Sequence, residues 1–183
     1  MIQLFNLQPE MIEITKAHKQ HIPTIRELAD QLWPVAFTSI LSEQQIDYMM
    51  EMMYSPASLA QQMDAGHQYA IVSLAKPNIQ NIRYVSYEID YHQSDKTKIH
   101  KLYISPHHQR HGVGKAMIDY VAKQALEANN NSLFLNVNKY NSQAINFYRK
   151  HHFVLVKEEA IDIGDGFIMD DYVFELSLNQ AEQ

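Results

Sequence analysis

The sequence predicts an α/β protein, a mixed sheet flanked by helices, folded as one domain over residues 1–183. Three observations carry this. Segments that alternate apolar and polar residues are interleaved with segments of helical period. Between 98 and 138 a strand, a glycine turn, a helix and a second strand follow one another, a βαβ unit whose strands run parallel. The last part of the chain holds two apolar runs about Gly164-Asp165-Gly166, which read as an antiparallel hairpin.

Met11–Thr15 alternates and reads as an edge strand. His18–Leu32 carries Ile22, Ile25, Leu28, Ala29 and Leu32 on one helical face, with Pro23 near the start, where its missing amide costs nothing. Trp33-Pro34 is expected to end that helix. At Leu41–Gln45, Ser42 is suited to an N-cap and Gln45 completes a capping box. Ile46, Met49, Met50 and Met53 follow at helical spacing. This methionine stripe reads as core, or as an adaptable pocket wall, because thioethers repack easily. Another helix is expected over 58–65, ended by Gly66. Tyr69–Ala75 and Asn81–Tyr91 read as strands, with a turn at Lys76-Pro77-Asn78 between them. In the second strand Ile82, Tyr84, Ser86 and Glu88 share one face, and Arg83, Val85 and Tyr87 share the other.

Lys98–Ser105 alternates until Pro106 stops it. Gln109-Arg110-His111-Gly112-Val113-Gly114 then leads into a helix carrying Val113, Ala116, Met117, Tyr120 and Val121. Two glycines at a helix start, where N–H groups are unpaired and the dipole is positive, let an anion approach the backbone; a pyrophosphate is the natural guest. Asn129-Asn130-Asn131 ends the helix. Ser132–Asn138 is a strand, Asn141-Ser142 starts a short helix that stops at His151-His152, and Phe153–Ile161 and Met169–Leu178 form the hairpin.

Composition narrows the function. The 183 residues are 46% hydrophobic and carry a formal net charge of -6. That charge argues against a broad nucleic-acid partner, which needs a basic face. No apolar run is long enough to span a bilayer, and no signal peptide is evident, so no membrane is expected and the protein is expected to be cytoplasmic. The absence of cysteine excludes disulfides and an acyl-cysteine intermediate. The fingerprints G-x-G-x-x-G and G-x-x-x-x-G-K-[ST] both fail, Met117 taking the third glycine position of the first. His107, His108, His111, His151 and His152 match no metal-ligand spacing, and no metal is expected.

What remains is Q-x-x-G-x-G after a strand ending Leu-Tyr-Ile-Ser-Pro. About forty residues on, Asn141-Ser142-Gln143-Ala144-Ile145-Asn146-Phe147-Tyr148-Arg149-Lys150-His151-His152-Phe153 resembles N-x-x-A-x-x-F-Y-x-K-x-G-F. Together these resemble the GNAT superfamily of N-acetyltransferases. The stretches over 37–62 and 163–176 resemble a bacterial branch with some polyamine-acetylating members. The resemblance implies the GNAT fold, a largely antiparallel sheet whose two central strands splay apart, with acetyl-CoA in the splay and the helices of residues 41–65 roofing the acceptor side. It implies an acetyl-CoA-dependent N-acetyltransferase in which a primary amine, of a small molecule such as a polyamine or of a protein, attacks directly in a ternary complex. The alternative is a non-catalytic acyl-CoA sensor or interaction module. Relatives are often dimers, so a homodimer is a possible assembly.

The resemblance also assigns roles. Leu102, Tyr103 and Ile104 would pair with the pantetheine arm. Gln109, Arg110, His111, Gly112, Val113, Gly114 and Lys115 would bind the pyrophosphate, with Arg110 and Lys115 adding charge unless they are solvated surface residues. Asn141 would hydrogen-bond the cofactor, cap its helix, or do both. Tyr148 would protonate the departing thiolate. The glutamate many relatives carry eleven residues before Gln109 is replaced by Lys98, which leaves Glu88 as the candidate base, with Asp170 and Asp171 as alternative amine binders. The glycine expected at the end of the short helix is His152, which in a left-handed conformation costs about 1 kcal/mol relative to glycine.

Overall fold

A computed structural model describes residues 12–74, 80–103 and 112–178. The strands are β1 (Ile12–Ala17), β2 (Gln68–Leu74), β3 (Gln80–Glu88), β4 (Lys96–Leu102), β5 (Ser132–Asn138), β6 (Val154–Gly164) and β7 (Phe167–Ser177). The helices are α1 (Ile22–Phe37), α2 (Glu43–Tyr54), α3 (Pro56–Asp64), α4 (Val113–Glu127) and α5 (Ser142–Lys150). The expected order of elements is the observed one. The sheet runs β1-β2-β3-β4-β5-β7-β6. Every neighbouring pair is antiparallel except β4 and β5, which the βαβ crossover through α4 makes parallel.

Two cores form, one on each face. Val113, Met117, Ile118 and Val121 of α4 and Ile145 of α5 pack with Val85, Tyr87, Ile99, Leu133 and Phe174. On the other face Ile25, Leu28 and Trp33 of α1, Met49, Met50 and Tyr54 of α2 and Leu59 of α3 pack with Tyr69, Ile71 and Tyr84. Leu74 and Gln80 pair across the β2–β3 ladder. The turn expected at Lys76-Pro77-Asn78, together with Met11, Ala75 and Ile104, lies outside the described residues. Among those described, no helix is long and apolar enough to cross a membrane.

Three expectations are corrected. The first helix does not end at Trp33-Pro34; it continues to Phe37 with Pro34 inside it. Proline removes one backbone hydrogen bond, but continuation sets Phe37 against Trp33, 4.5 Å between ring centroids, and seats both on Tyr103. Aromatic packing outweighs the local break. Ser42 caps α2 as expected by accepting the Gln45 N–H at 3.2 Å, but the Gln45 amide reaches Ile168 O instead of closing a capping box. Finally, strict alternation fails in β3. A bulge opposite Val72/Ser73 shifts the register, and Ile82 joins the same apolar cluster as Val85 and Tyr87.

Candidate active site

The site is made by a divergence. β4 and β5 pair only from Lys96/Ser132 to Ile99/Leu135. Beyond that, β4 stays with β3 as far as Leu102/Val85, and β5 stays with β7 as far as Asn138/Asp171. Each central strand follows its outer partner, and a wedge opens between them. The facing edges past Ile99 and Leu135 carry backbone groups that the ladder no longer uses.

Tyr148 stands at this wedge. Asn141 accepts the Ala144 N–H at 3.1 Å and so starts α5, which carries Tyr148 inward to 4% exposure. Its hydroxyl donates to Leu102 O at 3.2 Å. Burial raises its pKa well above the usual phenol value, so the group is a protonated donor at neutral pH. The helix then ends on His152 in the left-handed conformation, φ 66°, so the turn expected of glycine forms with histidine in its place.

Two cavities open from the wedge and share Phe37, Leu102, Tyr103, Asn136, Asn138 and Tyr148. One, about 540 Å³ with its open mouth, extends past Val35, Asn141, Gln143 and Ala144. The other, about 690 Å³ with its mouth, extends under α1 and α2 past Trp33, Met49, Met53, Met169, His100 and Asp171. The methionine stripe is thus both core and wall: Met49 and Met50 are buried, and Met49 and Met53 line the cavity. Tyr103 ties this roof to the sheet through its hydroxyl, 2.5 Å from that of Tyr54, and through ring contacts with Trp33, Phe37 and Tyr84.

The acidic pair in β7 is divided by the alternation of the strand. Asp170 faces outward and binds Lys139 at 2.6 Å. Asp171 faces inward, is 3% exposed and lines the larger cavity. Burial is the main cause that raises its pKa to about 6; Asp170 and Glu159 add to the rise, while a hydrogen bond with Asn136 and the charge of Lys98 oppose it.

Glu88 lines neither cavity. Its Oε2 lies 3.0 Å from His100 Nε2 and 3.6 Å from His67 Nε2, and the two imidazoles stack 3.9 Å apart. Burial, followed by the Lys101 and Lys98 charges, lowers the pKa of His67 to about 4. Burial, followed by His67, Lys98 and Lys101, depresses His100 further still. Both rings are therefore neutral at pH 7. His100 lines the larger cavity, so Glu88 reaches the site only through that ring. These three donors, all within 4.8 Å of one another, have the spacing of a divalent-cation site; the nearby ammonium groups of Lys98 and Lys101 oppose a cation there. Lys98 itself pairs with Glu88 in register, bonds Tyr91 Oη at 3.2 Å and sits over that ring.

At the glycine turn the two glycines do different work. Gly112 caps α4 at φ 70°, with open space where a Cβ would stand. A Cβ at Gly114 would meet Phe147 Cζ at 2.7 Å, so that glycine lets α5 close on α4. The first bond of α4 runs from Ala116 N–H to Gly112 O at 2.9 Å. The N–H groups of Val113, Gly114 and Lys115 precede it and point out of the helix end. The Lys115 ammonium pairs with Asp119 at 2.6 Å on the surface. Gln109, Arg110 and His111 lie outside the described residues, as do His107 and His108.

The structure thus brings together Leu102, Tyr103, Asn141 and Tyr148, and leaves Glu88 one residue removed. His100 on the cavity wall was missed by sequence reasoning. It belongs to β4, but the register shift against Ser86/Tyr87 skips it, so its direction cannot be read from alternation.

The model of the Acetyltransferase (GNAT) family matches residues 23–153. The chain belongs to that family; it is an acetyltransferase and its co-substrate is acetyl-CoA. Solved structures of similar fold include the PaiA N-acetyltransferase of Thermoplasma acidophilum in complex with coenzyme A, 22% identical, with 91% of this chain and 99% of that one covered at a TM-score of 0.72. A GCN5-related N-acetyltransferase of Rhodopseudomonas palustris is 16% identical, with 94% and 99% covered at 0.75. The spermidine/spermine N-acetyltransferase SpeG of Vibrio cholerae is 17% identical, with 91% and 94% covered at 0.61.

Proposed function

We propose that this chain moves the acetyl group of acetyl-CoA to a primary amine by direct attack within a ternary complex. The observation that carries this is the meeting of two cavities at Tyr148, one for each substrate. The pantetheine arm enters by the smaller cavity, beside Asn141 and the open edge of β4 at Leu102 and Tyr103. The N–H groups of Val113, Gly114 and Lys115 receive the pyrophosphate at the start of α4, with Gly112 shaping the turn; Ile104, Gln109, Arg110 and His111 complete this assignment on the family pattern. The amine enters by the larger cavity, under α1 and α2.

The amine arrives as an ammonium and gives one proton to a wall group that passes it to water. Asp171 is the acceptor on that wall; burial and the nearby lysines keep His100, held by Glu88, from taking a proton. The neutral nitrogen attacks the thioester carbon, and a tetrahedral oxyanion forms that unpaired backbone N–H groups of the wedge stabilise. The carbon–sulfur bond breaks, the thiolate takes the Tyr148 proton, and the phenolate recovers a proton from the amide nitrogen. The products are the N-acetyl amine, coenzyme A and one proton. A spermidine/spermine acetyltransferase among the similar folds supports an amine as acceptor.

Thiol release from acetyl-CoA across a panel of amines tests the proposal. Turnover is expected with at least one amine, and Tyr148→Phe should lower kcat by ~100-fold, within the range of general acid catalysis, with little change in the KM for acetyl-CoA. Tight coenzyme A binding without turnover on any amine would favour a non-catalytic sensor. Unchanged kcat in the variant would remove Tyr148 as the acid. Homodimerisation, proposed on family grounds alone, is read by light scattering on the purified protein.

A further inference from the structure

The acceptor cavity has an uneven chemistry. Its wall carries aromatic and thioether side chains, with Trp33, Phe37, Met49, Met53 and Met169 around it, and the neutral amides of Gln45, Asn136 and Asn138. Besides the phenols of Tyr103 and Tyr148 it presents two ionisable groups, His100 and Asp171. His100 is engaged with Glu88 at 3.0 Å and carries no charge at neutral pH. Asp171 is the single carboxylate on that wall, and no ion pair joins it to another described residue. The other half of the acidic pair, Asp170, is held outside by Lys139.

On the reading that this is the acceptor site of an acetyltransferase, we infer that the acceptor is a hydrophobic monoamine, an aryl-alkyl or alkyl amine. Its one ammonium docks on Asp171 and its apolar body lies against Trp33, Phe37 and the methionines. A cation desolvated in such a cavity needs a charge partner, and among the described residues the wall offers one, Asp171. A polyamine would bring a second and third ammonium against neutral amides, thioethers and rings, none of which carries a compensating charge. Aromatic faces attract a cation weakly and do not replace a carboxylate. The same wall suits an apolar body, because methionine side chains adapt their shape at little cost. Asp171 also takes the proton the ammonium must lose before attack.

Initial rates with phenethylamine, tryptamine, hexylamine, putrescine and spermidine test this, together with calorimetric titration of phenethylamine into the coenzyme A-loaded protein. The expected kcat/KM for the hydrophobic monoamines exceeds that for spermidine by at least tenfold. Asp171→Asn, nearly isosteric, should raise the phenethylamine KM, and its calorimetric Kd, at least tenfold while leaving the acetyl-CoA KM within twofold. Met53→Glu, at a half-buried wall position, should shift the ratio of kcat/KM toward spermidine. A higher kcat/KM for spermidine in the natural protein would overturn the inference while leaving acetyl transfer intact. Phenethylamine binding weakened by Asp171→Asn, without turnover on any amine, would support the site and sink the proposed reaction. Failure of every monoamine both to bind and to turn over would overturn the inference itself, as would an Asp171→Asn protein that binds coenzyme A and phenethylamine unchanged.

Discussion

Tyr148 and Asp171 face the same cavity with pKa values pushed upward by the same cause, loss of water, and the consequences differ. The phenol holds its proton more tightly, and in the proposed reaction it is the acid; the carboxyl is brought toward neutrality, where it exchanges a proton readily. A base must be deprotonated to work. The rate kcat/KM with a monoamine should therefore fall as pH drops through about 6, the Asp171 value. The charged groups around it are Lys98 of β4, Glu159 of β6 and Asp170 of β7, with neutral His100 on the cavity wall. A pH profile checks this: the acid limb near 6 should be missing in Asp171→Asn. If it persists there, another group accepts the proton. At this scale the sequence was only partly legible. Tyr148 and Asn141 sit in a motif of fixed spacing on one short helix, and local order places both. Asp171 shows only as half of an acidic pair, because which half faces inward depends on the register of β7. His100 is hidden by a bulge that breaks the alternation from which side-chain direction is read.

At the scale of elements, the contact between α4 and α5 joins the glycine turn to the helix that carries Tyr148. Gly114 and Phe147 are thirty-three positions apart, yet the ring fills the space a Cβ would need. Gly114→Ala should cost roughly 1–3 kcal/mol, as overpacking does, and chemical denaturation should show it. Adding Phe147→Leu should recover most of the loss; an unrecovered loss would mean that the glycine serves the backbone of the turn and not the helix contact. The strand–turn–helix and the short helix are legible because period and turn chemistry are local signals. The end of α1 is not. Pro34 is a local stop signal, and the helix runs past it because Trp33 and Phe37 gain a partner in Tyr103, sixty-six residues beyond Phe37, that no local window contains.

For the whole molecule, a buried cation joins the sheet to the helices that cover it. Lys101 of β4 lies at 5% exposure beneath α2 and α3, bonded to Gln62 and over the rings of Tyr54 and Tyr69. Burial lowers its pKa from 10.5 to about 7. Between those values the unfolded chain binds more protons than the folded one, so stability rises with pH across that window. The contribution is fully present above 10.5 and is lost as pH falls through about 7. Lys101→Met should therefore raise the melting temperature more at pH 6 than at pH 9, and thermal denaturation at the two values measures the difference. An equal shift at both would mean that the ammonium is solvated in the folded state.

The sequence alone determined the order of strands and helices, the parallel pair around α4, the glycine turn, and the motif that places Tyr148, since each depends on periodicity, turn chemistry or fixed spacing within a few tens of residues. Tertiary structure alone decided where β4 and β5 part, which carboxylate turns inward, that Glu88 stands behind His100, and that the cavity under α1 and α2 holds a single carboxylate among the described residues. These features depend on strand register and on packing between distant segments. A one-residue shift of register reverses which side chains face the cavity, and nothing local in the chain records it.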